Sequence, residues 1–146
     1  MTKKQGPHDV ARHFFQSLMQ HQFHVAWHLF SDHSQKSFIA WTLKGIYDRN
    51  PKAAEAAKLG APEVKLMFET NNIDLVLSFW KHFMRQSNAM YFNRFGYFNT
   101  GETTGKQAIV NVRLDYENGK QDHINLTMVY DRNSWRFGYL ESNLPF

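Results

Sequence analysis

The stretch NNIDLVLSFWKHFMRQS, from Asn71 to Ser87, decides the fold. Its apolar side chains recur at helical spacings, and on a wheel of 3.6 residues per turn they cover an arc of about 200°. Asparagine is a favoured N-cap residue, and Asp74 in the first turn complements the helix dipole. So wide an apolar arc predicts a central helix that is covered by a sheet on one side and by other helices on another.

The chain before this helix is also helical in pattern, because apolar residues recur three and four positions apart. The predicted helices are PHDVARHFFQSLMQ (7–20), a segment from about Gln22 to Phe30, QKSFIAWTLKGIYD (35–48) and two shorter stretches between 51 and 69. Ser31 or Ser34 can cap the third of them. Proline and glycine separate the shorter stretches, because the residue before a proline disfavours helical geometry.

After Ser87 the apolar period changes to two, which is typical of strands. Four strands are predicted: AMYFNRFGYFN (89–99), KQAIVNVRLDYE (106–117), QDHINLTMVYD (121–131) and SWRFGYLES (134–142). TGETTG (100–105) reads as a loop, and Asn118–Gly119 is a strong tight-turn signal. Short connections of this kind predict an antiparallel meander.

Length and composition limit the classes of protein to consider. A chain of 146 residues is the size of one domain, taken as 1–146, and its lack of cysteine excludes disulfides and thiolate metal sites. The start of the chain does not read as a secretory signal, and no apolar run approaches the roughly 20 residues of a membrane span. We expect a cytoplasmic protein without a membrane partner. The net charge of +4 is scattered, which makes a nucleic-acid partner an unfavoured expectation.

Alternation along the strands separates the sheet into two faces. One face is rich in aliphatic and aromatic residues and is the predicted core face. The other mixes aliphatic residues with amides and a hydroxyl, as a sheet covered by a partner would, although a solvent-exposed face fits nearly as well. The candidate dimer-interface residues on it are Asn111, Arg113, His123, Asn125 and Thr127.

The chain holds 13 Phe, 6 Tyr and 4 Trp, and large rings either fill a core or line an apolar pocket. The candidate pocket residues are Trp80, Arg94, Tyr116, Tyr130 and Tyr139. Arg94 shares strand parity with Met90, Phe92 and Phe98, and if that side faces the helices it could bind an anionic ligand inside the fold. A bulge at Gly96 could instead turn it to solvent.

Two groups of titratable residues are weaker candidates for chemistry. His24 and His28 have the i, i+4 spacing that can hold a metal ion, and His21 falls on the same side. No glutamate accompanies them as in the known two-histidine helical motif, so we interpret them as a solvated helix face and expect no metal or cofactor. Asp115 and His123 could meet across two strands, either as a base with its orienting group or as an exposed ion pair.

Two segments, FHVAWHLFSDHSQKSF (23–38) and HINLTMVYDRNSWRFGYLES (123–142), resemble the early helix pair and the closing hairpin of the NTF2-like (nuclear transport factor 2-like) superfamily. The resemblance implies an α+β cone in which N-terminal helices pack in the concave face of a curved four-stranded antiparallel sheet. It also implies an apolar cavity and a homodimer through the outer sheet face. Residues 51–69 depart from the family, since many members have a small hairpin there.

These observations favour a non-catalytic NTF2-like protein that binds a small apolar or amphipathic ligand in its cone, or that acts as a dimeric interaction module. A lyase or isomerase of the ketosteroid isomerase or dehydratase type is the first alternative. An RNA-binding or acidic-partner-binding module is the second. No catalytic residue is assigned, because the candidate strand carboxylate Asp115 has the wrong parity for a cavity.

Overall fold

The helical half of the chain forms a layer against one face of a curved sheet. A computed structural model describes residues 5–70, 73–86, 95–144 and 146. The helices in these ranges are α1 (Pro7–Met19), α2 (Phe23–Leu29), α3 (Asp32–Arg49), α4 (Pro51–Ala56), α5 (Ala61–Glu69) and α6 (Ile73–Gln86). The strands are β1 (Phe95–Thr104), β2 (Gln107–Asp115), β3 (Gln121–Asp131) and β4 (Ser134–Gly138), followed by a 3-10 turn at Leu140–Ser142. The predicted α+β class is confirmed.

The helix starts follow the local signals in the sequence. Ser31 caps α3, and its hydroxyl accepts a hydrogen bond from the Ser34 backbone N–H at 3.2 Å. Pro51 stands in the first turn of α4, where the missing N–H costs nothing. No helix within the described ranges is both long and apolar enough to cross a membrane.

The sheet is an antiparallel meander in the order β1-β2-β3-β4. Buried residues of neighbouring strands pair with each other on the core face, as in Ala108 opposite Met128. The pairing register shifts between Phe95 and Tyr97, on either side of Gly96, where a bulge was one of the two alternatives. Arg94 itself lies outside the described residues.

Two predicted strand boundaries are wrong. β1 continues to Thr104, so most of the expected loop TGETTG is strand, and the turn to β2 is only Gly105 and Lys106. These polar residues belong to the sheet because their backbone pairs with β2, and the pattern of their side chains does not predict that pairing. The last strand stops at Gly138, beyond which the chain turns into the 3-10 segment.

The free edge of β4 is partly covered by the α2–α3 junction. Phe30 and Phe137 form an isolated parallel bridge, and the Ser31 N–H donates to the Phe137 carbonyl at 2.9 Å. Covering an edge strand satisfies backbone groups that would otherwise pair with another chain. The same contacts hold α2 beside the β3–β4 hairpin.

Aromatic rings occupy the space between helices and sheet. Phe30 lies at the centre, and its ring centroid is 4.9 Å from that of Phe14, 5.0 Å from that of Phe38 and 5.6 Å from that of Phe83. The largest fully buried side chains are Trp27, Trp80, Tyr139, Phe14, Phe30, Phe38, Phe79, Phe83, Phe137, Leu18, Leu126 and Met128. In α6, Phe79 and Phe83 pack on α3 and on Tyr139, as the wide apolar arc predicted. The described interior is therefore filled largely by the chain's own rings.

Candidate functional site

A cleft of about 420 Å³ opens where the start of α1, the end of α2 and the β3–β4 hairpin meet. Its apolar lining consists of Val10, Leu29, Tyr130 and Trp135. Its polar lining consists of Gln5, His28, Asn133, Ser134 and Arg136. A mixed lining in a concave site suits a ligand with an apolar body and a polar end.

The aromatic wall of the cleft is built by the hairpin. Tyr130 on β3 and Trp135 on β4 are paired across the strands, and their rings meet edge to face with centroids 5.4 Å apart. Both side chains are half-buried, in contrast to the fully buried rings of the core. They therefore present ring surface that a bound molecule can contact.

Arg136 supplies the positive charge of the cleft. Its Nη1 donates to the His28 carbonyl at the end of α2, and its Nε lies 3.8 Å from Asp131 Oδ1. Only 19% of its side chain is exposed. Burial lowers the pKa of the Arg136 guanidinium, and Arg132 lowers it further, while Asp131 acts in the opposite direction.

The carboxylate of Asp131 is shared among several donors. Oδ1 accepts from Arg132 Nε at 2.9 Å, and Oδ2 accepts from the backbone N–H of Asp32 at 3.1 Å. Two guanidinium groups thus share one carboxylate, and the nearer pairing is with Arg132. Arg136 is left with a weak counter-charge.

The hairpin tip is held in a tight turn with left-handed backbone. Arg132 and Asn133 have φ values of 49° and 65°, which fits the two-residue turn between Asp131 and Ser134. Arg132 also donates to Gln35 Oε1 at 3.1 Å and to the Phe30 carbonyl at 3.3 Å. These bonds attach the tip to α3 and the α2–α3 junction, which fixes one side of the cleft.

The predicted pocket residues do not gather in this cleft. Tyr130 lines it, whereas Trp80 and Tyr139 are buried in the ring core and Tyr116 lies beyond the far end of β2. Tyr116 and Tyr130 flank opposite ends of a nine-residue strand, which separates them by roughly 30 Å at about 3.3 Å per residue. Arg94 lies outside the described residues.

The candidate interface residues do share one face of the sheet. Arg113 stands opposite His123, and Asn111 stands opposite Asn125. Thr127 follows on β3 and is half-buried, as is Arg113, whereas Asn111, His123 and Asn125 are exposed. Their grouping follows from parity, and their role remains a prediction.

The hypothesis of an Asp115–His123 pair is wrong. Asp115 stands opposite Gln121, and its carboxylate accepts two hydrogen bonds from Arg113, at 2.9 and 3.1 Å. A shift of two residues in the pairing separates the expected partners. The carboxylate fits beside Gly96, where an added Cβ would lie 1.8 Å from Asp115 Oδ2.

The early histidines are divided between different surroundings. His24 and His28 lie on α2, while His21 precedes the helix with a φ of 56° and contacts the edge of Phe23. Within the described ranges no group of three or more histidine, aspartate or glutamate side chains is placed to hold a metal ion. His28 instead lines the cleft, and its backbone carbonyl accepts the hydrogen bond from Arg136.

Sequence reasoning missed Trp135 and Arg136 as a site. Alternation along the last strand predicts Trp135 on the core face and Arg136 on the outer face, but it does not show what covers the open edge of that strand. β4 is the last strand of the sheet, so Arg136 reaches around its edge to α2. The available signal is the position of Trp135 two residues after Asn133 at the tip of the closing hairpin, where a large ring lies too near the turn for full burial.

Comparison of the chain with protein-family models, with curated proteins and with solved structures gives no match in any of the three.

Proposed function

We propose that this chain is a non-catalytic NTF2-like binding protein that takes up a small amphipathic ligand in the hairpin cleft and forms a homodimer through the outer face of its sheet. The observation that carries the proposal is the cleft, in which half-buried rings and a half-buried arginine line one concavity. Its volume of about 420 Å³ falls within the usual range for small-molecule sites.

Because the core is filled, we place the binding site in the cleft and not at the centre of the cone. Trp80 and Tyr139, which a central pocket would expose, are only 2% and 1% exposed. A ligand among these rings would have to displace close-packed side chains, and overpacking a core is destabilising. Binding at the cleft needs no such displacement.

The composition of the cleft supports binding without chemistry. An isomerase or lyase needs an acid–base group near the reacting atoms, commonly a carboxylate or a histidine. The described lining includes His28 but no carboxylate that could orient it, and His28 is exposed. Its other polar groups are amides, hydroxyls and a guanidinium, which fix a ligand's orientation.

Native mass spectrometry, compared with a denatured sample, tests ligand uptake. We expect a retained small molecule on the purified protein, lost in Trp135→Ala and kept in Trp41→Ala. The control tryptophan is also half-buried but stacks on His82, away from the cleft. Equal retention by both variants would exclude the hairpin cleft as the site.

The proposed dimer rests on the uncharged centre of the outer sheet face. Asn111 and Asn125 stand side by side there, and the charge of Arg113 is already paired with Asp115. A two-fold axis through this face would bring amides together, and amides both donate and accept hydrogen bonds. An interface between copies of the chain could form there without burying an unpaired charge.

Light scattering coupled to size exclusion tests the dimer. The expected mass is twice 17.2 kDa. Asn125→Lys should give the monomer by placing like charges across the axis, while Gln20→Lys, at the exposed residue that follows α1, should leave the dimer intact. A wild-type monomer at micromolar concentration would overturn this part of the proposal and leave the ligand cleft standing.

A further inference from the structure

The charge of the cleft specifies its ligand further than its shape does. Arg136 is the cation in the lining, and none of the described lining residues is an aspartate or a glutamate. The nearest carboxylate recorded for it, Asp131, is 3.8 Å from its Nε and is already bonded to Arg132 and to the Asp32 backbone. The Asp32 carboxylate also interacts with Arg132 but is paired with Lys36 at 2.9 Å, so the two guanidinium groups share mainly the single charge of Asp131 and the group keeps a net positive charge.

The guanidinium is oriented by a neutral group. Its Nη1 donates to the His28 carbonyl, which fixes the side chain along the end of α2 without neutralising it. The Nε atom is buried and has no hydrogen-bond partner among the described residues. A fixed, partly desolvated and under-compensated arginine favours an anion, because the planar guanidinium matches carboxylate and sulfonate oxygens.

The anion's remaining surroundings are apolar or neutral. Leu29, Trp135 and Tyr130 offer a wall for a flat or branched hydrocarbon body, while Ser134 and Asn133 offer hydroxyl and amide groups. An ion without an apolar body would leave these apolar side chains exposed to water. A neutral apolar molecule would leave the arginine without its counter-charge.

We propose that the ligand is an amphipathic organic monoanion, whose acid group binds Arg136 and whose apolar body lies against Trp135 and Tyr130. This inference rests on the proposed function, since it concerns the same cleft, and names the chemical class of its ligand.

Two dyes that differ by one acid group test the inference. Anilinonaphthalene sulfonate is an amphipathic anion, and N-phenyl naphthylamine is the same ring system without the sulfonate. Fluorescence titration of the full chain should give at least about tenfold tighter binding of the anion, which is the range of a hydrogen bond to a charged group. Raising the salt concentration should weaken binding of the anion and leave the neutral dye unchanged.

Variants assign the two dyes to the cleft. Arg136→Gln should weaken the sulfonate about tenfold and change the neutral dye less than about twofold. Arg136→Lys, which keeps the charge, should recover part of the loss. Trp135→Ala should weaken both dyes, whereas Arg85→Gln, at an exposed arginine outside the cleft lining, should change neither. Urea unfolding of each variant shows that the folded state is being titrated.

The outcomes separate the two proposals. Selective loss of the sulfonate in Arg136→Gln supports the inference. Equal affinities of the wild-type protein for the two dyes, with both reduced by Trp135→Ala, overturn the acid-group assignment while the cleft remains the site. Dye binding that is unaffected by Trp135→Ala overturns the inference together with the proposed function.

Discussion

Truncating Phe30 to alanine is the strongest test of the filled interior. Phe30 is fully buried, and its ring centroid lies within 6.5 Å of those of seven other aromatic residues in the part of the chain that the structure describes. These neighbours are Phe14, Trp27, Phe38, Trp80, Phe83, Phe137 and Tyr139. They belong to α1, α2, α3, α6 and the sheet end, so the whole layer would have to collapse to fill the void.

The expected loss of unfolding free energy is about 4 kcal/mol, within the roughly 3–5 kcal/mol found when a buried phenylalanine becomes alanine. Because the surrounding rings are close-packed, they can move little into the cavity, so its full energetic cost remains. The free energy of unfolding of a domain is about 5–15 kcal/mol, so the variant should remain folded with reduced stability. At roughly 2–4 °C per kcal/mol, Tm should fall by roughly 8–16 °C.

Urea unfolding followed by circular dichroism measures the effect. The midpoint should fall while the slope stays close to that of the wild-type protein, since the surface exposed on unfolding barely changes. Leu66→Ala is the matched control, because Leu66 is 58% exposed and its truncation should cost within about 0.5 kcal/mol. A loss below about 1 kcal/mol for Phe30→Ala would refute the packed interior and restore an open cone as the ligand site.

Three further predictions concern titration and the turn. Burial, and secondarily Arg85, lower the pKa of His82 below 6.5. Protonation therefore favours the unfolded state, and the free energy of unfolding should fall as the pH drops from 6.5 through that lower pKa. His82→Gln should reduce this decline, measured by urea unfolding at several pH values. The Lys36 hydrogen bond lowers the pKa of the Asp32 carboxyl, and Lys36→Gln should raise it toward 3.8 in an NMR titration. Asn133→Val should cost about 1–2 kcal/mol in urea unfolding, because a β-branched residue resists a φ of 65°, whereas Asn133→Gly should be nearly neutral.

Local periodicity predicted most of the secondary structure because each element buries one face. The wide apolar arc of α6 and the alternation on β2 and β3 are repeated within single segments, so the sequence displays them directly. The cap at Ser31 and the turn at Gly119, with φ of 80°, also depend on neighbouring residues alone. β1 was misjudged where its partner strand, and not its own side chains, determines the structure.

The cleft could not be predicted by the same reasoning. Its defining contact joins Arg136 to the His28 carbonyl, 108 positions away in the chain. Strand parity predicts the sheet face toward which a side chain points. Arg136 lies on an edge strand, however, and its guanidinium extends past that edge to α2. The amino-acid composition shows that the chain is rich in aromatic residues, but it does not distinguish the rings that fill the core from Trp135, which lines the cleft.

We expect a ligand to bind at the hairpin cleft and to leave the ring core undisturbed. Fluorine NMR of protein labelled with fluorotryptophan tests it directly, because the four tryptophans report different places. Trp135 lines the cleft, Trp27 and Trp80 lie in the core, and Trp41 stacks on His82. On titration with anilinonaphthalene sulfonate, the Trp135 resonance should shift while the other three stay in place. A shift of the Trp80 or Trp27 resonance with Trp135 unmoved would place the ligand inside the cone and exclude the hairpin cleft as its site.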